Sequence, residues 1–164
     1  MKIAPLPPNE KERLAALHAL LILDTPPEQR FDRITDFAAT EFDVPICLIS
    51  LVDENRQWFK SRVGIDACET PRSLSFCAYA LHSTETLVVQ DTHADERFVD
   101  HPVVVEPPHL RFYAGAPLVL PSGLIAGTLC LADTQPRQLD ELDLSILATL
   151  RDLAVNELLE REEK

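Results

Sequence analysis

Apolar residues recur every three or four positions in the first quarter of the chain, which is the period of an amphipathic helix. The pattern predicts a helix over residues 9–22, with Asn9 as its N-cap. It predicts a second helix over residues 26–42, where Thr25 is the N-cap and Pro26 takes the first helical position. The apolar positions of the two inner faces are Leu14, Leu17, Leu21, Phe31, Ile34, Ala38 and Phe42.

The pattern changes from helical to extended at residue 44. The segment VPICLISLV, residues 44–52, is apolar on both alternating faces, which is typical of a central strand covered on both sides. After a polar turn, residues 57–63 alternate between polar and apolar as in a half-exposed strand. The two segments predict an antiparallel hairpin.

The strongest strand pattern lies late in the chain, in RFYAGAPLVL (111–120) and LIAGTLCLAD (124–133). Pro117 has no N–H to donate to a ladder, so we expect a bulge there. Alternate residues of the first strand share one face, namely Phe112, Ala114, Ala116, Leu118 and Leu120. The small residues that would let a ligand lie close to this sheet are Ala114, Gly115, Ala116, Ala126 and Gly127.

The chain between the two hairpins is less regular. Residues 64–73 show no periodic pattern, whereas residues 74–82 predict a short helix and residues 87–89 a short strand. Residues 91–110 hold three histidines and three prolines and predict a long loop. Long loops in compact domains are often functional.

A long helix is predicted from Asp140, within a C-terminal segment of about residues 138–164. Its apolar stripe is wider than packing on one sheet face requires, which predicts a signalling and dimer helix and hence a homodimer. Strands that follow one another directly predict an α+β fold around an antiparallel sheet. A chain of 164 residues is expected to form a single domain, 1–164, that begins with an extended arm over residues 1–8.

The charge balance narrows the function class. The chain has 27 acidic and 15 basic residues and a net charge of −12, so nucleic acids and anionic membranes would repel it. It lacks an apolar run of ~20 residues and a secretory signal, which predicts a cytoplasmic protein. The four cysteines, Cys47, Cys68, Cys77 and Cys130, form no CxxC pair and are expected to be reduced thiols.

Five blocks carry a family resemblance. They are LDTPPEQRFDRIT, FDVPICLISLVDENRQWFKSRVGI, ETPRSLSFCAYAL, LVVQDTHADERFVDHPVV and LRFYAGAPLVLPSGLIAGTLCLAD. Over about residues 14–160 the chain resembles a bacterial subset of GAF domains, commonly found upstream of diguanylate cyclase or histidine kinase modules. The resemblance implies a GAF/PAS-like antiparallel sheet of five to six strands with the terminal helices packed on one face. A short helix and loops would enclose a small-molecule pocket on the other face.

The resemblance also implies where a ligand lies, between the sheet and residues 70–112. The implied pocket residues are Trp58, Arg62, Ser75, Phe76, Cys77, Tyr79, Asp91, Phe98, Arg111 and Tyr113. Trp58 and Phe59 point to opposite faces of a strand, so at most one of them lies in the pocket. The acidic balance favours a neutral or singly charged organic ligand. A highly charged anion would need an arginine as its partner, and the candidates are Arg72, Arg97 and Arg111.

Cysteine chemistry is an option within this family. Cys68 and Cys77 fall near two of the three cysteines of GAF-type methionine sulfoxide reductases. The third, the nucleophile, belongs in the loop of residues 91–110, where this sequence has no cysteine. The sequence therefore predicts no enzymatic activity and no catalytic residue.

Three other ligand types match the sequence poorly. Bilin-binding members place a Cys-His pair on the pocket helix, whereas here Tyr79 follows two residues after Cys77. The distributed Asn-Lys-Phe-Asp-Glu signature of nucleotide-binding members has no match. The histidines lack ligand spacing, so no metal is expected, although one loop gathers Asp91, His93, Asp95 and His101.

These observations favour a cytoplasmic GAF sensor in bacterial signal transduction, without catalysis, whose ligand and cofactor are unknown. Ligand binding would bias the terminal helices, which would pass the change to an output module. Two alternatives remain open. One is a thiol-dependent reductase of free methionine sulfoxide that uses Cys68 and Cys77, and the other is a ligand-free scaffold that only dimerises.

Overall fold

Six antiparallel strands form one sheet, in a computed structural model that describes residues 3–160. The spatial order is β3–β2–β1–β6–β5–β4, so β1 and β6 occupy the centre. The strands are β1 Ile46–Val52, β2 Arg56–Val63, β3 Glu69–Pro71, β4 Leu87–Val89, β5 Phe112–Val119 and β6 Ile125–Asp133. The predicted α+β fold is confirmed.

Helices cover both faces of this sheet. They are α1 Glu10–Ala19, α2 Gln29–Phe42, α3 Pro102–Val105 and α4 Glu141–Leu159, together with the short 3-10 helices Arg72–Leu74, Cys77–His82 and Thr92–Ala94. Within residues 3–160, no helix combines the length and the apolar character that a membrane crossing requires. The ends of the predicted arm and of the predicted C-terminal segment, residues 1–2 and 161–164, lie outside the described residues.

Two helix starts differ from the sequence pattern. Asn9 occupies the N-cap position of α1, but its side chain makes no capping hydrogen bond. The N-cap of α2 is Glu28 instead of Thr25. The reason is the Pro26–Pro27 pair, because a residue that precedes proline is driven out of the helical region. The Thr25 hydroxyl donates instead to the Ile22 carbonyl at 2.6 Å.

The sheet separates two buried clusters. The helix-side core lies between the sheet and α1, α2 and α4, and includes Leu17, Phe31, Phe42, Cys47, Ile49, Leu51, Trp58, Phe112, Ala114, Ala116, Leu118, Leu129, Leu147 and Leu158. The cavity-side core lies on the other face, and includes Ile46, Leu48, Val52, Phe59, Phe76, Cys77, Phe98, Val104, Tyr113, Cys130 and Ala132. Strand β1 contributes to both, which confirms the prediction of a central strand covered on both faces.

The small residues of the β5–β6 hairpin do not have the role that the sequence predicts. The β5–β6 register shifts between Pro117 and Val119, which confirms the predicted bulge. A Cβ on Gly127 would lie 1.9 Å from the Ser50 carbonyl oxygen, so this glycine lets β1 and β6 approach each other. Ala114, Ala116 and Ala126 belong to the helix-side core. These alanines therefore do not provide the space for a ligand on the other face, contrary to expectation.

The irregular middle of the chain contains more structure than its pattern predicts. Strand β3 pairs with the start of β2 inside the segment expected to be irregular, because three residues are too few to show alternation. The predicted helix over 74–82 is a 3-10 helix, Cys77–His82, that follows the turn Arg72–Leu74. The long loop of residues 91–110 carries α3.

Candidate functional site

An apolar cavity of about 300 Å³ lies on the second face of the sheet. Its floor is formed by β1, β2, β5 and β6, and its cover by residues 65–82 and 98–110. The apolar lining comprises Ile46, Leu48, Phe59, Ile65, Ala67, Pro71, Leu74, Phe76, Val103, Pro108, Leu110 and Ala132. The other lining residues are Gln57, Thr70, Cys77, Tyr113 and Cys130. Within the described part of the chain, no acidic, basic or histidine side chain lines the cavity.

Gln57 links the floor to the cover. Its Oε1 accepts hydrogen bonds from Ser50 Oγ at 2.9 Å and from Ser75 Oγ at 2.8 Å, and its Nε2 donates to Thr70 Oγ1 at 3.0 Å. No buried side-chain nitrogen or oxygen in residues 3–160 lacks a hydrogen-bond partner. A ligand would therefore be selected by shape and apolar contact more than by a vacant polar group.

Cys77 lies in the wall of the cavity, at the centre of a cluster of donors. Its Sγ accepts hydrogen bonds from Tyr113 Oη at 3.0 Å and from Thr128 Oγ1 at 3.0 Å, and Cys130 Sγ lies 3.8 Å away. Burial alone would raise the pKa of Cys77. The donors outweigh burial, because hydrogen bonds from Cys130, Thr128 and Tyr113 lower this pKa from 9.0 to about 7.

The remaining cysteines have different surroundings. Cys47 lies in the helix-side core, where burial raises its pKa to about 12. Cys68 is exposed. It lines a separate groove, so the structure does not bring Cys68 and Cys77 together at one site. All four cysteines are free thiols in the structure.

Aromatic rings hold the cover together. Phe76 stacks on Phe98 with their ring centroids 4.2 Å apart, and meets Tyr113 edge-on at 5.3 Å. Tyr79 meets Phe98 edge-on at 5.0 Å from the outer side. Such aromatic pairs add stability beyond their buried area. The cover is therefore a packed layer.

His101 fastens the long loop to this layer. Its Nε2–H donates to the Leu74 carbonyl at 2.9 Å, while its Nδ1 accepts from the Val103 backbone N–H at 3.1 Å. Since one ring nitrogen donates and the other accepts, the imidazole is neutral. Burial lowers the pKa of His101 below its ordinary value of 6.5.

A buried ion-pair cluster joins the cover to α1. The Glu10 carboxylate accepts from Arg13 Nε at 3.0 Å and from Arg72 Nη1 at 2.5 Å. Arg72 also donates to the Asp53 carbonyl at 3.0 Å, and Arg13 to the Ile125 carbonyl at 3.2 Å. The first 3-10 turn of the cover is thereby attached to the N-terminal helix and to the sheet.

The structure places five of the predicted pocket residues at or directly behind the cavity. Phe76, Cys77 and Tyr113 line it. Ser75 lies behind the lining, where it donates to Gln57, and Phe98 backs Phe76.

Three predicted pocket residues lie farther from the cavity. Tyr79 packs on the outer side of the cover. Asp91 accepts from the His93 backbone N–H at 3.0 Å. Arg111 donates to the carbonyls of Val104 and Leu110 at 3.1 and 3.0 Å. Within residues 3–160 no three His, Cys, Asp or Glu side chains gather as a metal site.

Trp58 and Arg62 lie in a different concavity, a polar groove of about 590 Å³ beside α2 and β2. Its carboxylates are those of Asp24, Asp32, Asp36 and Glu69. The buried ammonium of Lys60 pairs with Glu28 at 2.6 Å. The sheet register shifts opposite Lys60, since Ser50 pairs with Phe59 and Ile49 with Ser61. Arg62 lies beyond this shift, near the exposed end of β2, and does not line the cavity.

Sequence reasoning missed Gln57 and most of the apolar lining. The alternation that places Phe59 on the cavity side also places Gln57 there, and that signal was available. The contributions of Val103, Pro108 and Leu110 depend on how the long loop folds back, which no local pattern shows.

Comparison with known proteins supplies the family. The family model described as "GAF domain" matches residues 26–158. The solved GAF domain of an Acinetobacter phosphoenolpyruvate-protein phosphotransferase superposes with a TM-score of 0.62 and 19% identity over 90% of this chain and 92% of that one. A free methionine-R-sulfoxide reductase of Neisseria meningitidis gives a TM-score of 0.61 and 19% identity over 90% of this chain and 87% of that one. At these identities the structures show the fold.

A relative in Pseudomonas aeruginosa is named a cyclic di-GMP phosphodiesterase. It is 42% identical over 148 residues, which cover 90% of this chain and 25% of the relative. The chain thus spans a quarter of that protein. The prediction that this chain is not an enzyme is wrong, because a relative of this similarity carries the name of an enzyme.

Proposed function

The chain belongs to the GAF domain family, and on this premise we propose that it is the sensing domain of a cyclic di-GMP phosphodiesterase. The domain binds a small uncharged molecule in the cavity, and the occupied cover alters the activity of the phosphodiesterase through the terminal helices. Membership of the family supports the regulatory role. The name of the Pseudomonas relative supports a phosphodiesterase output, in place of the predicted diguanylate cyclase or histidine kinase.

The observation that carries the proposal is the apolar cavity beneath an ordered cover. A volume of about 300 Å³ suits a small organic molecule, and the lining of Leu48, Phe59, Phe76 and Leu110 rewards burial of its apolar surface. A charged ligand would lose its hydration there and find no counter-charge among the described residues. We therefore narrow the expected ligand from neutral or singly charged to uncharged.

We do not propose cyclic di-GMP itself as the ligand of this cavity. Its two phosphate groups call for arginine or lysine donors. The three candidate arginines are engaged elsewhere: Arg72 with Glu10, Arg97 with Asp95, and Arg111 with backbone carbonyls. The proposed regulator thus differs chemically from the proposed substrate of the output module.

The cover has a direct route to the terminal helices. Leu74 lines the cavity and lies in the same 3-10 turn as Arg72, whose guanidinium pairs with Glu10 of α1. A ligand that shifts Leu74 would move this ion pair. The proposed signal therefore passes from the cover to α1 through buried charges.

A second copy of the chain is the proposed partner, with residues 1–164 as one domain and α4 as the dimer helix. An apolar groove between α2 and α4 is lined by Ile34, Phe37, Leu150 and Leu153, of which Phe37 and Leu153 are exposed. We expect light scattering to show a dimer that Leu153→Glu dissociates. Leu142→Glu is the control, because Leu142 is exposed outside the groove. A wild-type monomer at high concentration would contradict the dimer.

The cavity can be tested with a matched pair of probes, indole and indole-3-carboxylate. We expect indole to raise the melting temperature and the charged analogue to leave it unchanged. Ala67 lines the cavity and is exposed, so Ala67→Trp should obstruct the cavity at its edge and abolish the response. Ala94→Trp, at an exposed alanine away from the cavity, should retain it. Equal responses in both variants would show that the cavity is not the binding site.

A further inference from the structure

We propose that Cys77 and Cys130 form a redox-active dithiol in the cavity wall, which a small uncharged organic hydroperoxide oxidises to a disulfide. The proposal rests on the proposed function only in one respect, that the oxidant enters through the same cavity. It adds a covalent modification site to a cavity that otherwise binds its ligand reversibly.

The geometry of the pair is the first support. Cys77 opens the second 3-10 helix of the cover, and Cys130 lies in the central strand β6, yet their sulfurs are 3.8 Å apart. A disulfide needs an S–S distance of about 2.0 Å, so a small movement of a short helix would close the bond. Both thiols are free and buried.

The surroundings of Cys77 make it the attacking member. Two hydroxyl donors, Tyr113 Oη and Thr128 Oγ1, lie at 3.0 Å and stabilise a negative charge on its sulfur. The hydrogen bond to Cys77 and burial both raise the pKa of Cys130, and a negative charge on the neighbouring Cys77 sulfur raises it further. One sulfur is thus prepared as a nucleophile, and its neighbour remains a thiol that can resolve the first product.

Access selects the oxidant. Both sulfurs line the cavity, whose other surfaces are mostly apolar and uncharged. A hydroperoxide with an alkyl or aryl group is neutral and can be buried there, whereas a charged oxidant such as glutathione disulfide would have to shed its hydration. Cys68 is exposed, so its position does not discriminate between charged and uncharged oxidants.

The reaction balances in two steps. The Cys77 sulfur attacks the outer oxygen of ROOH, the O–O bond breaks, and the alkoxide takes the thiol proton and leaves as ROH. Cys77 is now a sulfenic acid. The Cys130 sulfur attacks Cys77 Sγ, the S–O bond breaks, and hydroxide leaves with the Cys130 proton as water. Two thiols are oxidised by two electrons and one hydroperoxide is reduced.

The disulfide would pin the cover to the sheet. Tyr113 and Thr128 would at the same time lose the sulfur that accepts their hydrogen bonds as a thiolate. Oxidation would therefore hold the cover against the sheet, and the cover is also the part of the domain that would respond to a reversibly bound ligand.

The test uses the full chain with Cys68→Ser, so that the exposed thiol does not react. After treatment with cumene hydroperoxide we expect the intact mass to fall by two hydrogens, and peptide mapping to find a Cys77–Cys130 link. Adding Cys130→Ser should abolish the link and leave a Cys77 sulfenic acid that dimedone traps. Adding Cys47→Ser, the matched buried control, should leave the link unchanged.

Three results would overturn the proposal. They are an unmodified Cys77 in the Cys68→Ser chain, a dimedone adduct distributed equally over Cys47 and Cys77, and oxidation that glutathione disulfide drives as fast as cumene hydroperoxide. If Cys77 stays unmodified while indole still stabilises the chain, the dithiol proposal fails and the proposed ligand site stands. If the link forms and indole has no effect, the proposed ligand site fails and the dithiol proposal stands.

Discussion

The Tyr113 hydroxyl donates to the Cys77 sulfur at 3.0 Å, across the floor of the cavity. Gly115 allows this contact, because a Cβ at that position would lie 2.3 Å from Tyr113 Oη. A glycine on β5 and a tyrosine two residues earlier thus help to lower the pKa of a cysteine on a different element. The thiol belongs to the cover, and the donor belongs to the sheet.

Tyr113→Phe should raise the pKa of Cys77 by about one unit, because it removes one hydrogen bond to the thiolate. The pH dependence of alkylation in a Cys68→Ser background measures this pKa. Gly115→Ala should act in the same direction by displacing the hydroxyl. Tyr79→Phe is the control, since Tyr79 lies on the outer side of the cover. An unchanged pKa in both Tyr113→Phe and Gly115→Ala would refute the role of this contact.

The thiolate should also make stability depend on pH. The pKa of Cys77 is lowered from 9.0 to about 7 by folding, so between these values the unfolded chain binds more protons than the folded chain. Stability should therefore rise from pH 7 to pH 9 relative to Cys77→Ala, by on the order of 2 kcal/mol. Urea unfolding across this range is the measurement. Wild type relative to Cys47→Ala should show no such rise, because burial raises the pKa of Cys47 to about 12.

His101 should make the fold sensitive to mild acid. Its pKa is lowered below 6.5 by burial, so as the pH falls through 6.5 the unfolded chain takes up a proton that the folded chain excludes. The stability that the neutral ring contributes is complete above pH 6.5 and is lost below it. His101→Gln should reduce the loss of unfolding free energy between pH 6.5 and pH 5.5. The exposed His93 supplies the control, His93→Gln, which should retain the wild-type profile.

Glu10→Gln should destabilise the chain by about 2 kcal/mol or more, because it leaves the buried guanidinium groups of Arg13 and Arg72 without their shared carboxylate. Urea unfolding measures the loss. Glu12→Gln is the matched control, since Glu12 is exposed on the same helix. Equal stability of the two variants would show that the ion pairs of Glu10 do not attach the cover to α1.

The sequence predicts those parts of the fold that depend on local pattern. Strand β1 was recognisable because both of its faces are apolar, and the Pro117 bulge because proline lacks a donor. The start of α2 at Gln29 was missed because two good helix-start signals, Thr25 and Pro26, are overridden by the second proline.

The site was harder to predict because it joins distant segments. Phe76, Cys77 and Tyr113 were found from their expected positions in the family. The pairing of Cys77 with Cys130 could not be predicted, since 53 residues separate them and the contact depends on how the cover packs. Trp58 was assigned to the pocket from its expected position in the family, yet it fills the helix-side core.

Hydrogen exchange with and without indole tests most directly whether the cavity under the cover is the ligand site. The account predicts slower exchange in residues 70–82 and 98–110 of the wild-type chain and of Ala94→Trp. Ala67→Trp should show no change. Protection confined to α1, α2 and α4, or to the polar groove beside α2, with the cover unchanged, would contradict the account.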